Sequence, residues 1–166
     1  MMPESEIKCA IKQYAEAYER LQMLQETEPS IPEGDQKTGS IGEFYSYRYL
    51  SNTFPNSKLT YGSHSEKGWD IHVSGVNLKV QVKTVSAYSK TRTISPLHKD
   101  WDVLHIIYVN KALQPEGFWI IEDNSFFGEK SLLSSKKCRH PTNTKQLGSK
   151  DIPFGKNRID ELLQAL

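Results

Sequence analysis

The sequence lacks the features that mark membrane, disulfide-rich and zinc-binding proteins. Its two cysteines, Cys9 and Cys138, lie far apart and belong to no C-x-x-C pair, so neither a disulfide framework nor a zinc site is predicted. The longest apolar run, about 103–109, is interrupted by His105 and is shorter than the roughly 18 residues that a bilayer span needs. Residues 1–10 lack the basic-then-apolar order of a secretory signal. These absences predict a cytoplasmic protein without a membrane segment.

The remaining composition is typical of one globular domain. Hydrophobic residues make up 37% of the chain and charged residues 25%, and 166 residues can bury a core without covalent staples. No G-x-S-x-G elbow, P-loop or G-x-G-x-x-G motif occurs, and the five histidines form no H-E-x-x-H set. Hydrolase-triad, NTPase and dinucleotide-binding classes therefore have no support, and we expect a single domain over residues 1–166.

The charge is unevenly distributed, although the net charge is only +1. Residues 1–50 carry nine acidic and five basic side chains, a balance of −4, whereas residues 51–166 carry eleven acidic and sixteen basic ones, a balance of +5. The most basic segment is 130–158, which has eight lysines and arginines against Asp151 alone. Such a segment can hold a polyanion through phosphate contacts, although a solvated basic face has the same composition.

Two helices are predicted in the first third of the chain. The first covers about residues 6–26, and its apolar stripe recurs every three or four residues: Ile7, Ile11, Tyr14, Tyr18 and Leu21, widened by Ala10, Ala17 and Leu24. The second is predicted over about 40–52, because Ser40 and Glu43 match the S-x-x-E capping pattern.

The hydrophobic period then changes to two, which indicates strands. They are predicted near residues 59–61, 69–73, 78–84, 103–109 and 118–121, with a short helical turn at Ser95-Pro96. This order of elements predicts an α/β (α+β) domain around one mixed sheet.

The second and third predicted strands form a hairpin that gathers polar side chains. If Gly75-Val76 is a two-residue type II′ turn, then His72 lies opposite Lys79 and Asp70 lies opposite Gln81. Alternation places Trp69, Ile71, Val73, Leu78, Val80 and Val82 on the core face. The other face then carries Asp70, His72, Lys79, Gln81 and Lys83. Opposed Cβ atoms are about 5 Å apart and diagonal ones about 7–8 Å, so Lys83 can reach the Asp70–Gln81 pair.

A carboxylate, an amide oxygen and an ammonium group on one patch suit metal-assisted phosphodiester hydrolysis. Mg²⁺ (or Mn²⁺) takes oxygen ligands, which Asp70 and Gln81 would supply, with Glu43 as a second carboxylate if its helix packs beside the hairpin. Lys83 would orient the attacking water and offset charge in the transition state. Simpler interpretations remain open: an Asp70–Lys83 surface ion pair, Gln81 on the wet side of the sheet, and Glu43 closing the Ser40 cap.

These residues carry a resemblance to a known family. Asp70, a turn and then Gln81-Val82-Lys83 resemble the P-D-(D/E)-x-K nuclease superfamily (restriction-endonuclease-like), and the Q-x-K variant resembles its Mrr-type branch. Ile41-Gly42-Glu43-Phe44 is similar to that superfamily's first core helix. Carried over residue by residue, the resemblance implies Asp70 and Gln81 as metal ligands, Lys83 as the catalytic lysine and Glu43 as an accessory ligand. Trp69 stands where the family often has proline, and Gln81 replaces the commoner acidic residue.

The resemblance covers about residues 39–121 and implies a mixed sheet flanked by helices. It also implies an Mg²⁺-dependent endodeoxyribonuclease of restriction or defence type. A homodimer is expected, because two active sites are needed to cut both strands of DNA. Predicted nucleic-acid contacts, all histidines or basic residues, are His64, Lys67, His72, Lys90, Arg92, Lys136, Lys137 and Arg139. Two alternatives remain. One is a catalytically weak or inactive nucleic-acid-binding relative, or a subunit of a larger assembly. The other is a protein-interaction domain whose polar hairpin face is solvated.

Overall fold

The computed structural model describes residues 3–27, 38–62, 68–95, 97, 100–122, 138 and 155–166. Within these ranges, the helices and strands are, in chain order, α1 (Glu4–Thr27), α2 (Thr38–Thr53), β1 (Leu59–Tyr61), β2 (Ile71–Val73), β3 (Leu78–Ser86), β4 (Val103–Val109), β5 (Pro115–Ile121) and α3 (Ile159–Gln164). The strands form one sheet in the order β1-β2-β3-β4-β5. Because β3 and β4 pair in parallel and all other pairs are antiparallel, the predicted mixed sheet flanked by helices is confirmed.

The two long helices form where predicted, with two corrections. The buried stripe of α1 is narrower than predicted: Ile11, Ala15 and Tyr18 are buried, but Ala10 and Ala17 are exposed. The second helix begins at Thr38, so Ser40 lies inside it and is not its N-cap. The capping-box interpretation of Glu43 is therefore wrong.

The central strands β3 and β4 are covered by apolar clusters on both faces, as is usual for parallel pairing. The cluster on the side of α2, here called the α2-side cluster, includes Ile41, Tyr45, Leu50, Ile71, Val73, Val80, Val82, Ile107, Phe118 and Leu162. The cluster on the opposite face, here called the Trp-side cluster, includes Val85, Ile94, Leu97, Trp101, Leu104, Ile106, Tyr108, Trp119, Ile121 and Cys138.

Because apolar clusters cover both faces of β3, the predicted division of the hairpin into a core face and a solvent-exposed face is corrected at two residues. Gln81 is only 3% exposed, because its face of β3 continues into the Trp-side cluster. Trp69 packs against that same cluster and not with Ile71 and Val73, since it precedes the first residue of β2.

The hairpin has the predicted register but a different turn. His72 pairs with Lys79 and Ile71 with Val80, as predicted. The connection, however, is a 3-10 turn over Ser74–Val76 that closes on Asn77, whose φ of 49° is left-handed. A two-residue type II′ turn at Gly75-Val76 is therefore wrong, because the positive φ falls on the asparagine two residues later.

The C-terminal helix α3 was not predicted and lies beside β5. Asn157 joins the two elements, because its Oδ1 accepts hydrogen bonds from the backbone N–H groups of Phe118 (2.9 Å) and Ile159 (3.1 Å). Arg158, counted above in the basic segment, donates to the Glu161 carboxylate at 2.6 Å. Pro96 of the predicted helical turn, and all of the basic segment except Cys138 and residues 155–158, lie outside the described residues.

No helix in the described part of the chain is long and apolar enough to cross a membrane.

Helix α2 approaches β3 so closely that one position requires glycine. A Cβ atom on Gly42 would lie 1.7 Å from Thr84 Oγ1 and 2.8 Å from Thr84 Cβ. Rotation of the threonine cannot relieve the second contact, because Cβ lies on the rotation axis. The close approach holds the neighbouring Glu43 against the sheet.

We predict that Gly42→Ala lowers the free energy of unfolding by about 1–3 kcal/mol, because α2 must move away from β3. The matched control is Gly39→Ala in the same helix, where an added Cβ meets nothing within 4 Å. The control should be unchanged or slightly more stable, because alanine favours helix over glycine. Urea unfolding of both variants measures this, and equal stabilities would contradict the close packing.

A buried histidine joins α2 to β4. His105 is 2% exposed, its Nδ1 lies 2.7 Å from Ser46 Oγ, and its ring contacts Tyr49 and Phe118 edge-on. Burial, with a smaller contribution from the positive charge of Arg158, lowers the pKa of His105 to about 3. The imidazole is therefore neutral in the folded protein at neutral pH.

We predict that His105 makes the protein acid-sensitive. Its pKa is lower in the folded state than in the unfolded chain, so the unfolded chain takes up a proton first, and stability is lost between about pH 6.5 and pH 3. This one group contributes up to about 1.4 kcal/mol per pH unit. Urea unfolding across pH should show a shallower acid loss in His105→Asn, which keeps a polar atom near Nδ1. Parallel pH profiles for the two proteins would contradict this role.

Candidate active site

Asp70 lies where β2 separates from β3, and its carboxylate binds the β3 backbone. The Asp70 N–H still donates to the Val80 carbonyl at 2.8 Å, as in a regular antiparallel pair. One step further along β3, the Val82 N–H donates to Asp70 Oδ2 at 2.6 Å, so a side chain has replaced the next backbone acceptor. Val82 is the middle residue of Gln81-Val82-Lys83. The hydrogen bond therefore holds the carboxylate beside the backbone between Gln81 and Lys83.

The chain reaches Asp70 through a glycine whose backbone conformation suits no other residue. Gly68 has a φ of +112°, and a Cβ atom there would lie 3.0 Å from Asp100 Cβ. The segment that carries Asp70 is thus held close to the residues that precede β4.

Gln81 and Lys83 share one face of β3 because residues alternate along a strand. The Oε1 atom of Gln81 is buried and has no hydrogen-bond partner among the described residues. Burial lowers the pKa of Lys83, and the negative charge of Asp70 opposes that shift. The partly desolvated ammonium group thus interacts with Asp70, and the unpartnered Gln81 Oε1 belongs to a residue on the same face of β3.

Glu43 approaches Asp70 from α2, as predicted if that helix packs beside the hairpin. Burial, and then the charge of Asp70, raise the pKa of Glu43 from 4.5 to about 7. Lys83 on β3 and Glu43 on α2 therefore both interact with Asp70. The raised pKa favours the protonated form of Glu43, which limits the negative charge at the site.

A pair of stacked tyrosines borders the site and was missed in the sequence. The rings of Tyr47 on α2 and Tyr61 on β1 have centroids 5.1 Å apart and are inclined by 23°. Tyr61 is 49% exposed, and the charge of Glu43 contributes, after burial, to raising its pKa. The only signal in the sequence was an aromatic residue beside Gly62, because the pairing depends on how α2 packs against β1.

The predicted nucleic-acid contacts are scattered, as far as the structure describes them. His72 Nε2 lies 3.0 Å from Asn77 Oδ1 at the hairpin turn, and Lys90 is exposed. Arg92 has a φ of 52°, and its guanidinium lies 5.7 Å from the centre of the Tyr108 ring. The other five, His64, Lys67, Lys136, Lys137 and Arg139, lie outside the described residues.

The predicted ligands supply the kinds of oxygen that a hard divalent cation takes. Within the described ranges, no three His, Cys, Asp or Glu side chains form a metal-binding group. Asp70 and Glu43 are two carboxylates that interact electrostatically, and Gln81 Oε1 is a buried amide oxygen without a hydrogen-bond partner among the described residues. Carboxylate and amide oxygens are ligands for Mg²⁺, which commonly keeps several waters.

We predict that Glu43 titrates with a midpoint near pH 7 in protein without added divalent ions. Asp70→Asn keeps an oxygen that can accept the Val82 N–H and removes the charge. It should therefore lower the Glu43 pKa while leaving it above 4.5, because burial is the larger cause. Carbon-13 NMR of the side-chain carboxyls measures both values. Glu161, whose pKa is lowered by its hydrogen bond to Arg158, is an internal control in the same spectra. A Glu43 midpoint at 4.5 would contradict the site's electrostatics.

No protein-family model matches the chain, and no curated protein matches it in sequence. Among solved structures, the fold is similar to that of a bacterial homing endonuclease, I-Ssp6803I, with a TM-score of 0.47 and 19% sequence identity. The match covers 78% of this chain and 93% of the endonuclease. At this level of identity and TM-score, the similarity concerns the chain path and assigns no role to any residue here.

Proposed function

We propose that the chain is a divalent-metal-dependent endonuclease that hydrolyses phosphodiester bonds of DNA, of restriction or defence type. One observation carries the proposal: the Asp70 carboxylate is bound to the Val82 N–H, beside Gln81 and Lys83. A partly buried ammonium group and a second carboxylate both interact with Asp70, and the unpartnered Gln81 Oε1 belongs to the same strand as the lysine. Perturbed groups of this kind cluster at functional sites.

Asp70, Gln81 and Glu43 would hold Mg²⁺ or Mn²⁺ in this proposal. Gln81 Oε1 supports it most directly, because a buried acceptor without a donor costs free energy that a cation would recover. The bound ion would polarise a phosphate oxygen and lower the pKa of water. Glu43 would release its proton when the ion binds, because a positive charge nearby favours the carboxylate.

Lys83 would act on the phosphate and on the attacking water. Its ammonium group is desolvated, so its interaction with developing negative charge is stronger than that of an exposed lysine. The negative charge of Asp70 favours the charged form of the lysine and so opposes the effect of burial. A charged Lys83 can stabilise the transition state and donate hydrogen bonds, but cannot accept a proton.

DNA would be held by residues around this centre. Exposed Lys90 offers a phosphate contact, and the exposed ring of Tyr61 offers a surface for a sugar or base. Two copies of the chain would place one active site on each strand of a duplex. This proposal requires a homodimer or two successive single-strand cuts.

A second function is favoured by one specific feature, the neutral side chain of Gln81. Compared with an aspartate or glutamate, it removes one negative charge from the site and weakens cation binding. The chain would then be a weakly active or inactive nucleic-acid-binding relative, or a subunit of a larger assembly. Gln81→Glu separates the two functions, because it should confer metal-dependent cleavage on a protein that otherwise only binds DNA.

The test of the proposed function is cleavage of supercoiled plasmid and duplex oligonucleotides with Mg²⁺ or Mn²⁺. We predict cleavage that EDTA abolishes and that Lys83→Met reduces by a factor of about 10² or more. Methionine keeps most of the buried stem of the lysine and removes its charge. Lys79→Met on the same strand is the matched control and should cleave at the wild-type rate.

Equal loss of activity in the Lys79 and Lys83 variants would contradict a catalytic role for Lys83. Absence of cleavage in the wild-type protein and in Gln81→Glu, with DNA and RNA substrates, would contradict the nuclease proposal. Circular dichroism of each variant keeps loss of folding separate from loss of chemistry.

A further inference from the structure

A groove of about 650 Å³ lies between α1, α3 and the turn that joins β4 to β5. Its apolar lining includes Ile11 and Ala15 of α1, Pro115 at the start of β5, and Leu163 of α3. Leu163 is 51% exposed, which is unusual for a large apolar side chain beside other apolar groups. None of the groove's lining residues belongs to the candidate active site.

One wall of the groove carries a row of charged residues from α1. The four residues are spaced by four, four and three positions, so they share one side of the helix: Lys8, Lys12, Glu16 and Glu19. All four are exposed. The two basic residues come first along the helix, and the two acidic residues follow.

This order is complementary to itself when two copies of α1 run in opposite directions. With a two-fold axis midway between Lys12 and Glu16, Lys12 lies opposite the partner's Glu16, and the partner's Lys12 lies opposite Glu16. Lys8 lies within one residue of the level of the partner's Glu19. A two-fold interface requires this kind of pairing, since the same patch serves both copies.

The central pair is available for contacts with another molecule. Within the described residues, Lys12 and Glu16 form no ion pair or hydrogen bond. A lysine that precedes a glutamate by four residues in a helix is also the weaker of the two orientations. Lys8, by contrast, already lies 2.8 Å from Glu4.

The dimensions suit a helix-to-helix contact. The 24 residues of α1 span roughly 36 Å at 1.5 Å per residue. An interface of standard size buries about 800 Å² on each partner, so the proposed contact would include the rim of the groove as well as α1. Pairing would also remove the exposed side chain of Leu163 from water, which favours association.

We propose that this groove is the surface through which two copies of the chain associate, with their α1 helices antiparallel and Lys12 facing the partner's Glu16. The proposal names the interface of the homodimer suggested above and rests on that suggestion. Its test measures association alone, so a failed cleavage assay and a failed association assay are distinguishable.

Sedimentation velocity of the full chain, from about 1 to 100 μM, measures the association. We expect a concentration-dependent dimer whose Kd rises by about tenfold or more in Lys12→Glu and in Glu16→Lys, because each change places like charges opposite one another. Mixing the two variants in equal amounts should restore association, because every facing pair is then of opposite sign. Lys58→Glu, an exposed charge change outside the groove, should leave Kd unchanged.

The proposal is overturned if the wild-type chain stays monomeric across this range. It is also overturned if a dimer forms whose Kd is the same in both single variants, or if the mixed variants do not associate better than either alone. Equal thermal stability of the variants shows that each change acts on association and not on folding.

Discussion

The parallel pairing of β3 with β4 is the constraint on which the core and the candidate site both depend. Seven consecutive pairs, from Val80↔Val103 to Ser86↔Val109, hold the two strands together. Because parallel strands are covered on both faces, polar residues of β3 are buried beside apolar ones. Gln81 and Lys83 are therefore taken out of water by the same packing that builds the two clusters. The unusual electrostatics of the site follow from this burial.

The site is a balance of charges around Asp70. Its hydrogen bond from the Val82 N–H places a negative charge where β2 leaves the sheet. That charge favours the ammonium form of Lys83 and disfavours a second carboxylate at Glu43. A bound cation would reverse the second effect, because Glu43 would then gain a positive neighbour. Lys83 and Glu43 are partly buried and both interact with Asp70. The charge of a bound ion would therefore shift their pKa values.

The sequence predicted the sheet well because its signals were local. The apolar run over 103–109 matches β4 at both ends. The hairpin register also survived a wrong turn type, since alternation of apolar residues determines which side chains face the core. The predicted opposition of Asp70 and Gln81 lies one position beyond the paired residues of β2.

The features that were predicted wrongly or not predicted depend on tertiary packing, which the periodicity of the sequence does not encode. Gln81 was expected on a wet face because alternation cannot show that a second apolar layer covers that face. The expected cap at Ser40 failed because the helix begins two residues earlier, at Thr38. The six residues of α3 are too few for a clear helical period. The Tyr47–Tyr61 stack joins elements that only the fold brings together.

Calorimetric titration with Mn²⁺ tests the proposal that Asp70, Gln81 and Glu43 hold a divalent cation. We expect one ion per chain, weaker binding in Asp70→Asn, tighter binding in Gln81→Glu, and release of protons from Glu43 near pH 7. Binding that none of these substitutions changes would contradict the proposed cation site. So would the absence of any Mn²⁺ binding in both the wild-type protein and Gln81→Glu.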